Sequence, residues 1–141
     1  MLTASTSSLN LIETSLESDP TARVRVNFPI NTHAGSEDSA VVYFEVAPGE
    51  RVARHTDSAE EVLYIVAGTA EGEVGDERGV LYAGDLAVIP AMVPHGVRNV
   101  GDETLKVVGF FSEAKIISTF DEPIQPIGEA VLEQAPVPAA A

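Results

Sequence analysis

The chain has 141 residues, 45% of them apolar, enough for one hydrophobic core and too few for two ordinary domains. Its 22 carboxylates outweigh eight Lys and Arg, and the formal net charge of −14 repels phosphate backbones and anionic lipid, which argues against nucleic acid and membrane surfaces as partners. Without cysteine there is neither a disulfide framework nor a thiolate metal site, so any metal must be held by nitrogen and oxygen.

In chain order, residues 1–21 are rich in Ser and Thr and close on Asp19-Pro20, which predicts a loose, flexible arm. This start has neither the basic residues nor the apolar run of a leader, and no apolar run anywhere reaches membrane length, so a soluble cytoplasmic protein is expected. The predicted core spans residues 22–122. It opens with RVRVNF (23–28), AVVYFEVA (40–47) and the near-continuous apolar strand EVLYIVAG (61–68). AEGEV and GVLYA then flank the turn Gly75-Asp76-Glu77. DLAVIP (85–90), HGVRNV (95–100), TLKVVGFF (104–111) and KIIST (115–119) complete the series. About eight or nine short strands separated by turns predict an all-β sandwich or jelly-roll barrel in a single domain. Residues 123–141, with their prolines and an Ala end, predict an extended C-terminal tail.

Two stretches carry the chemistry. In PGERVARHTDSAEEVLYIVAG, His55 and Asp57 share a strand face because alternate residues point the same way, and Glu61 enters the next strand facing the interior of Leu63 and Ile65. An unpaired carboxylate on an apolar face costs several kcal/mol or takes up a proton, so a metal ion is an obvious partner. In AGDLAVIPAMVPHGVRN, Pro90 and Pro94 bracket a turn that delivers His95 on the same face as Val97 and Asn99.

These stretches resemble the paired motifs of the cupin superfamily. The first motif, G-x5-H-x-H-x3-E-x6-G, is met by Gly49, His55, Glu61 and Gly68, with Asp57 where the family has its second histidine. The second, G-x5-P-x-G-x2-H-x3-N, is met by Gly84, Pro90, His95 and Asn99, with Met92 where the family usually has glycine. The resemblance covers about residues 40–112 and implies a small cupin β-barrel, commonly a homodimer, that binds one divalent metal ion (Fe, Mn, Ni, Zn or Cu). By carry-over His55, Glu61 and His95 are ligands. Asp57 has three readings: a fourth ligand, a base or hydrogen-bond partner behind a two-His, one-carboxylate triad, or the mark of a site that no longer holds metal.

By parity Val42, Phe44, Leu63, Ile65, Val97 and Phe111 line the interior, while Tyr43 and Tyr64 face an outer sheet surface or a dimer interface. Met92 borders the pocket mouth, Glu60 and Arg54 face away from the metal, and His33 lies in an exposed loop. The function implied by the resemblance is a metal-dependent enzyme on a small-molecule substrate, a dioxygenase-type oxidoreductase with Glu61 or Asp57 as the proton acceptor. Two alternatives stand beside it: a non-oxidative isomerase or lyase using Asp57 or Glu61 as base, and a non-catalytic ligand- or metal-binding barrel.

Overall fold

The computed structural model describes residues 1–138; the last residues of the expected tail, 139–141, lie outside the described residues. Twelve strands follow one another: β1 Ile12–Leu16, β2 Arg23–Ile30, β3 Ala40–Val46, β4 Arg51–Asp57, β5 Glu61–Ala67, β6 Thr69–Val74, β7 Glu77–Tyr82, β8 Leu86–Ile89, β9 His95–Asn99, β10 Leu105–Phe111, β11 Ile117–Gln125 and β12 Glu129–Glu133. Among the described residues the one helical element is a 3-10 turn at Thr32–Ala34, and no helix is long and apolar enough to cross a membrane.

Pairing runs β7-β6-β9-β4-β11-β1-β2-β3-β10-β5-β8, with β12 on β11, and every pair is antiparallel. The two ends of this path, β7 and β8, are consecutive in the chain and joined by residues 83–85. The sheet must therefore curl until its edges meet. The joining turn bonds to β5, Gly84 N–H donating to Ile65 O (2.8 Å) and Ile65 N–H to Asp85 O (3.1 Å). The result is a nearly closed, single-domain all-β barrel of jelly-roll type.

Strand periodicity decides what fills it. In β10 Leu105, Val107 and Phe111 point inward and Lys106 and Phe110 outward, and the buried set continues through Val42, Phe44, Leu63, Ile65 and Val97. Each such side chain, fully buried, contributes about 2 kcal/mol. The inward parity read from the sequence matches this set. On the outer face, Tyr64 lies opposite Leu86, and these two with Val88 and Phe110 leave an exposed apolar surface across β10, β5 and β8.

Two sequence expectations differ from the structure. Within the expected loose arm, Ile12–Leu16 forms β1, paired to β2 and β11, because Ile12, Thr14 and Leu16 alternate correctly even though Ser and Thr dilute the pattern. Within the expected extended tail, β11 runs on to Gln125 and β12 folds back on it; Pro123 is accommodated in the irregular register between Thr119 and Ile124, where a missing N–H is tolerated. Tyr43, expected on an outer sheet surface or at a dimer interface, lies outside the interior cluster yet is only 3% exposed. Both terminal segments reach its side of the sheet: the cross-strand neighbour Asn27 donates to Asn10 O (2.7 Å) and accepts from Val137 N–H (3.0 Å).

Candidate metal centre

The site forms where β4 crosses β9 and β5 begins. A register irregularity between Val52 and His55 sets His55 directly opposite His95, with ring centroids 4.3 Å apart. Asp57, two residues on from His55, shares its face, and its Oδ2 lies 3.1 Å from His95 Nε2 and 3.5 Å from His55 Nε2. His55, Asp57 and His95 each offer one ligand atom, all within 4.8 Å of one another. Glu61 stands one step back, its Oε1 3.6 Å from His95 Nε2. Asp57, Glu61 and His95 are buried.

The surroundings fix these groups for ligation. His55 Nδ1 is 2.8 Å from Ala53 O and His95 Nδ1 is 2.9 Å from Val93 O. A carbonyl oxygen only accepts, so each Nδ1 carries the hydrogen and each Nε2 is turned toward the cluster. Asp57 Oδ1 accepts from Ser118 Oγ–H at 2.6 Å, and Gln134 Nε2 in turn donates to Ser118 Oγ at 3.2 Å. On the inner side Asp57 Oδ2 and His95 Nε2 are both buried without a hydrogen-bond partner. Native structures rarely leave such atoms unmatched, and these two face the point on which the third donor also converges. The residues present therefore fit a divalent cation, held by His55, Asp57 and His95 with Glu61 within reach.

The electrostatics agree. Burial works against the charge of Asp57, yet the flanking imidazoles hold its carboxyl well below the usual carboxylate range. Burial pushes the Glu61 carboxyl up against the pull of His95, and the neighbouring Asp57 charge adds to the rise. Burial alone would lower His95, but Asp57 and Glu61 outweigh it and raise the imidazole to about 10. A cation at this point would meet the same carboxylate charge that raises His95.

The ligands open onto a cavity lined mainly by apolar side chains, among them Phe28, Phe44, Phe111, Phe120, Val26 and Leu63. About 80 Å³ inside is open to the centre of a water-sized sphere. Besides His55, Asp57, His95 and Glu61, the polar lining is Thr14, Ser118 and Gln134, and among the described residues lining it none is Lys or Arg. Phe120 lies nearly parallel to His55, centroids 4.7 Å apart.

Arg54 faces outward and pairs with Glu73, Glu60 is exposed, and His33 is exposed with its Nε2 3.0 Å from Glu133 Oε2. Asn99 bridges backbone, donating to Val46 O and Glu103 O, both 2.8 Å, and accepting from Gly101 N–H, so it braces β9 and takes no part in ligation. Met92 adopts φ +63 in the turn before His95 while its N–H donates to Asp57 O at 2.8 Å. It thus holds the left-handed conformation of the glycine it replaces, and it is 60% exposed. Met92→Gly is expected to stabilise the fold by about 0.5–1 kcal/mol in chemical denaturation, a balance of relieved strain against glycine's unfolded-state freedom. A net loss of stability would show that the Met92 side chain packs usefully at the mouth.

Sequence reasoning passed over Ser118, Phe120, Gln134 and Gly109. Only Gly109 carried a signal, as a glycine inside an otherwise β-rich strand. A Cβ built there would lie 2.1 Å from Glu61 Oε2 and 2.7 Å from Val42 Cγ1, so the missing side chain is the space that the Glu61 carboxylate occupies.

The Cupin domain family pattern matches residues 42–111. Protein SchB of Streptomyces halstedii is 35% identical over 78 residues, covering 55% of this chain and 56% of SchB. Polyketide synthase CurC of Streptomyces cyaneus is 39% identical over 62 residues, covering 43% of this chain and 40% of CurC. The match thus spans about half the length of these relatives. Among solved structures, the Lactobacillus farciminis oxalate decarboxylase formate complex superposes with a TM-score of 0.68 at 24% identity, over 79% of this chain and 33% of that one. Bacillus subtilis oxalate decarboxylase, studied for its Mn(II) centres, gives 0.63 at 22% identity, over 70% and 28%.

Proposed function

The chain belongs to the cupin superfamily, and from that premise we propose that it is a metal-dependent enzyme acting on a small, largely apolar organic molecule, with dioxygenase-type oxidation as its reaction. The observation that carries this reading is the juxtaposition of two buried, unpartnered ligand atoms, Asp57 Oδ2 and His95 Nε2, with an apolar, phenylalanine-lined cavity. Two imidazoles and one or two carboxylates make a hard donor set, suited to Fe(II) or Mn(II). Such an ion, when bound, supplies Lewis-acid polarisation and access to chemistry with O₂.

The chain's own residues do the rest. Ala53 O and Val93 O fix the imidazoles, Ser118 fixes Asp57, and the phenylalanine wall keeps water from the reacting face. With no Lys or Arg among the described lining residues, a small dicarboxylate would lose its hydration without a protein cation in exchange. That distinguishes this cavity from one built for oxalate and favours neutral substrates.

A second reading, non-oxidative isomerase or lyase chemistry, is favoured by Glu61. Its carboxyl is raised by burial and stands behind the ligand cluster, placed to hold or deliver a proton at Oε1. Oxygen uptake separates the two. With Fe(II)- or Mn(II)-loaded protein and a panel of enolic and phenolic compounds, O₂ consumption should match product formation one for one, and product should be absent under strict anaerobiosis. Turnover undiminished without oxygen would replace the oxygenase reading with the acid–base one.

A further inference from the structure

The polar groups behind Asp57 form a chain whose direction is fixed. A carboxylate that holds a cation carries no proton, so Asp57 Oδ1 accepts and Ser118 must spend its only hydrogen on it, at 2.6 Å. Ser118 Oγ is then left as an acceptor, and the Gln134 atom 3.2 Å away must be the amide nitrogen. The amide cannot flip without setting two acceptors against each other. Its oxygen, Oε1, consequently faces elsewhere, and it is buried without a partner in a residue only 3% exposed. Gln134 also lines the cavity, and its backbone N–H is anchored to Ile116 O at 2.9 Å.

We propose that Gln134 Oε1 is a second polar subsite of the cavity, accepting a hydrogen bond from a neutral hydroxyl of the bound molecule, so that the occupant is a flat apolar compound bearing a phenolic or enolic OH. The proposal rests on reading the cavity as the substrate site and adds a recognition element next to the polar groups behind Asp57. An acceptor repels an anion, and a cation would lose its hydration among phenylalanines, whereas a hydroxyl satisfies Oε1 and leaves its carbon skeleton to the apolar walls. A flat skeleton suits walls that carry Phe28, Phe44, Phe111 and Phe120, whose ring faces stack on planar groups. Gln134 is a positioning and specificity residue, held in its orientation by the same hydroxyl that orients Asp57.

The test uses zinc-loaded protein, 2-naphthol and its methyl ether 2-methoxynaphthalene, which differ by the donor hydrogen. The naphthol should bind about tenfold more tightly. Gln134→Met, similar in length and volume but without the acceptor, should bring the two affinities together. In wild-type protein the Gln134 side-chain carbonyl resonance should shift on saturation with naphthol and stay in place with the ether, a readout independent of how the variant folds. A preference that survives Gln134→Met, an unmoved resonance, or failure of wild type to bind either probe overturns the subsite. Failure to hold zinc overturns the metal-dependent reading instead, and the same resonance then tests the subsite in the metal-free chain.

Discussion

Asp57→Ala is expected to weaken divalent-cation binding by well over 100-fold, measured by competition with a chelator and by elemental analysis after dialysis. The expectation follows from geometry: Asp57 Oδ2 is within 3.5 Å of both imidazole nitrogens and has no other partner, so its removal takes away a ligand and the charge that balances the cation. Loss of an outer partner costs about 10- to 100-fold in metal affinity, and loss of a ligand should exceed that. Ser118→Ala, which removes only the hydrogen bond to Oδ1, should fall within the smaller range. Asp57→His, which writes the usual family residue into the first motif, should keep metal binding while shifting preference toward softer ions. Wild-type affinity in Asp57→Ala would leave Asp57 as a neighbour of a triad built from His55, His95 and Glu61.

Gly109→Ala should destabilise the protein by about 3 kcal/mol, a fall in Tm of roughly 10 °C, although only a methyl group is added. The new Cβ meets the Glu61 carboxylate on one side and Val42 on the other, both closer than packed atoms tolerate, and strand β10 is hydrogen-bonded to β3 and β5 and cannot yield. The cost should be shared with Glu61. In a double-mutant cycle, Glu61→Ala with Gly109→Ala should recover about 1 kcal/mol or more of the sum of the single changes. Strict additivity would mean that Val42 alone is the obstacle.

Much of the barrel was legible because strand parity and turn residues are local signals. The two motifs fixed the spacing of His55, Asp57, Glu61 and His95 before any strand was paired. Spacing could not say how far each side chain reaches. In sequence Glu61 read as a ligand and Asp57 was left open among three readings, and their different reach arises from an across-strand relation, His55 opposite His95, that brings Asp57 forward and leaves Glu61 against Gly109. Ser118 and Gln134 were illegible for a similar reason. Their roles come from pairing of β11 with β4 and β12, partners that no local pattern announces, and Gln134 sits among prolines that suggest unpaired chain. The covering of Tyr43 was not legible because the segments that reach its face come from the two ends of the sequence.

The hydrogen bond from Ser118 to Asp57 spans 61 residues, and the strand that makes it is among the last in the chain. During synthesis His55, Asp57, Glu61 and His95 all emerge before the group that orients their central carboxylate. An early cation would meet an unsteadied ligand set on a β4 whose partner β11 has not yet arrived. Such non-local pairing is slow to form, on the order of milliseconds to seconds in β-barrels of this kind. Topology thereby sets the order: the finished barrel, and not the nascent motif, presents the steadied cluster to which metal binding is ascribed in the proposed function.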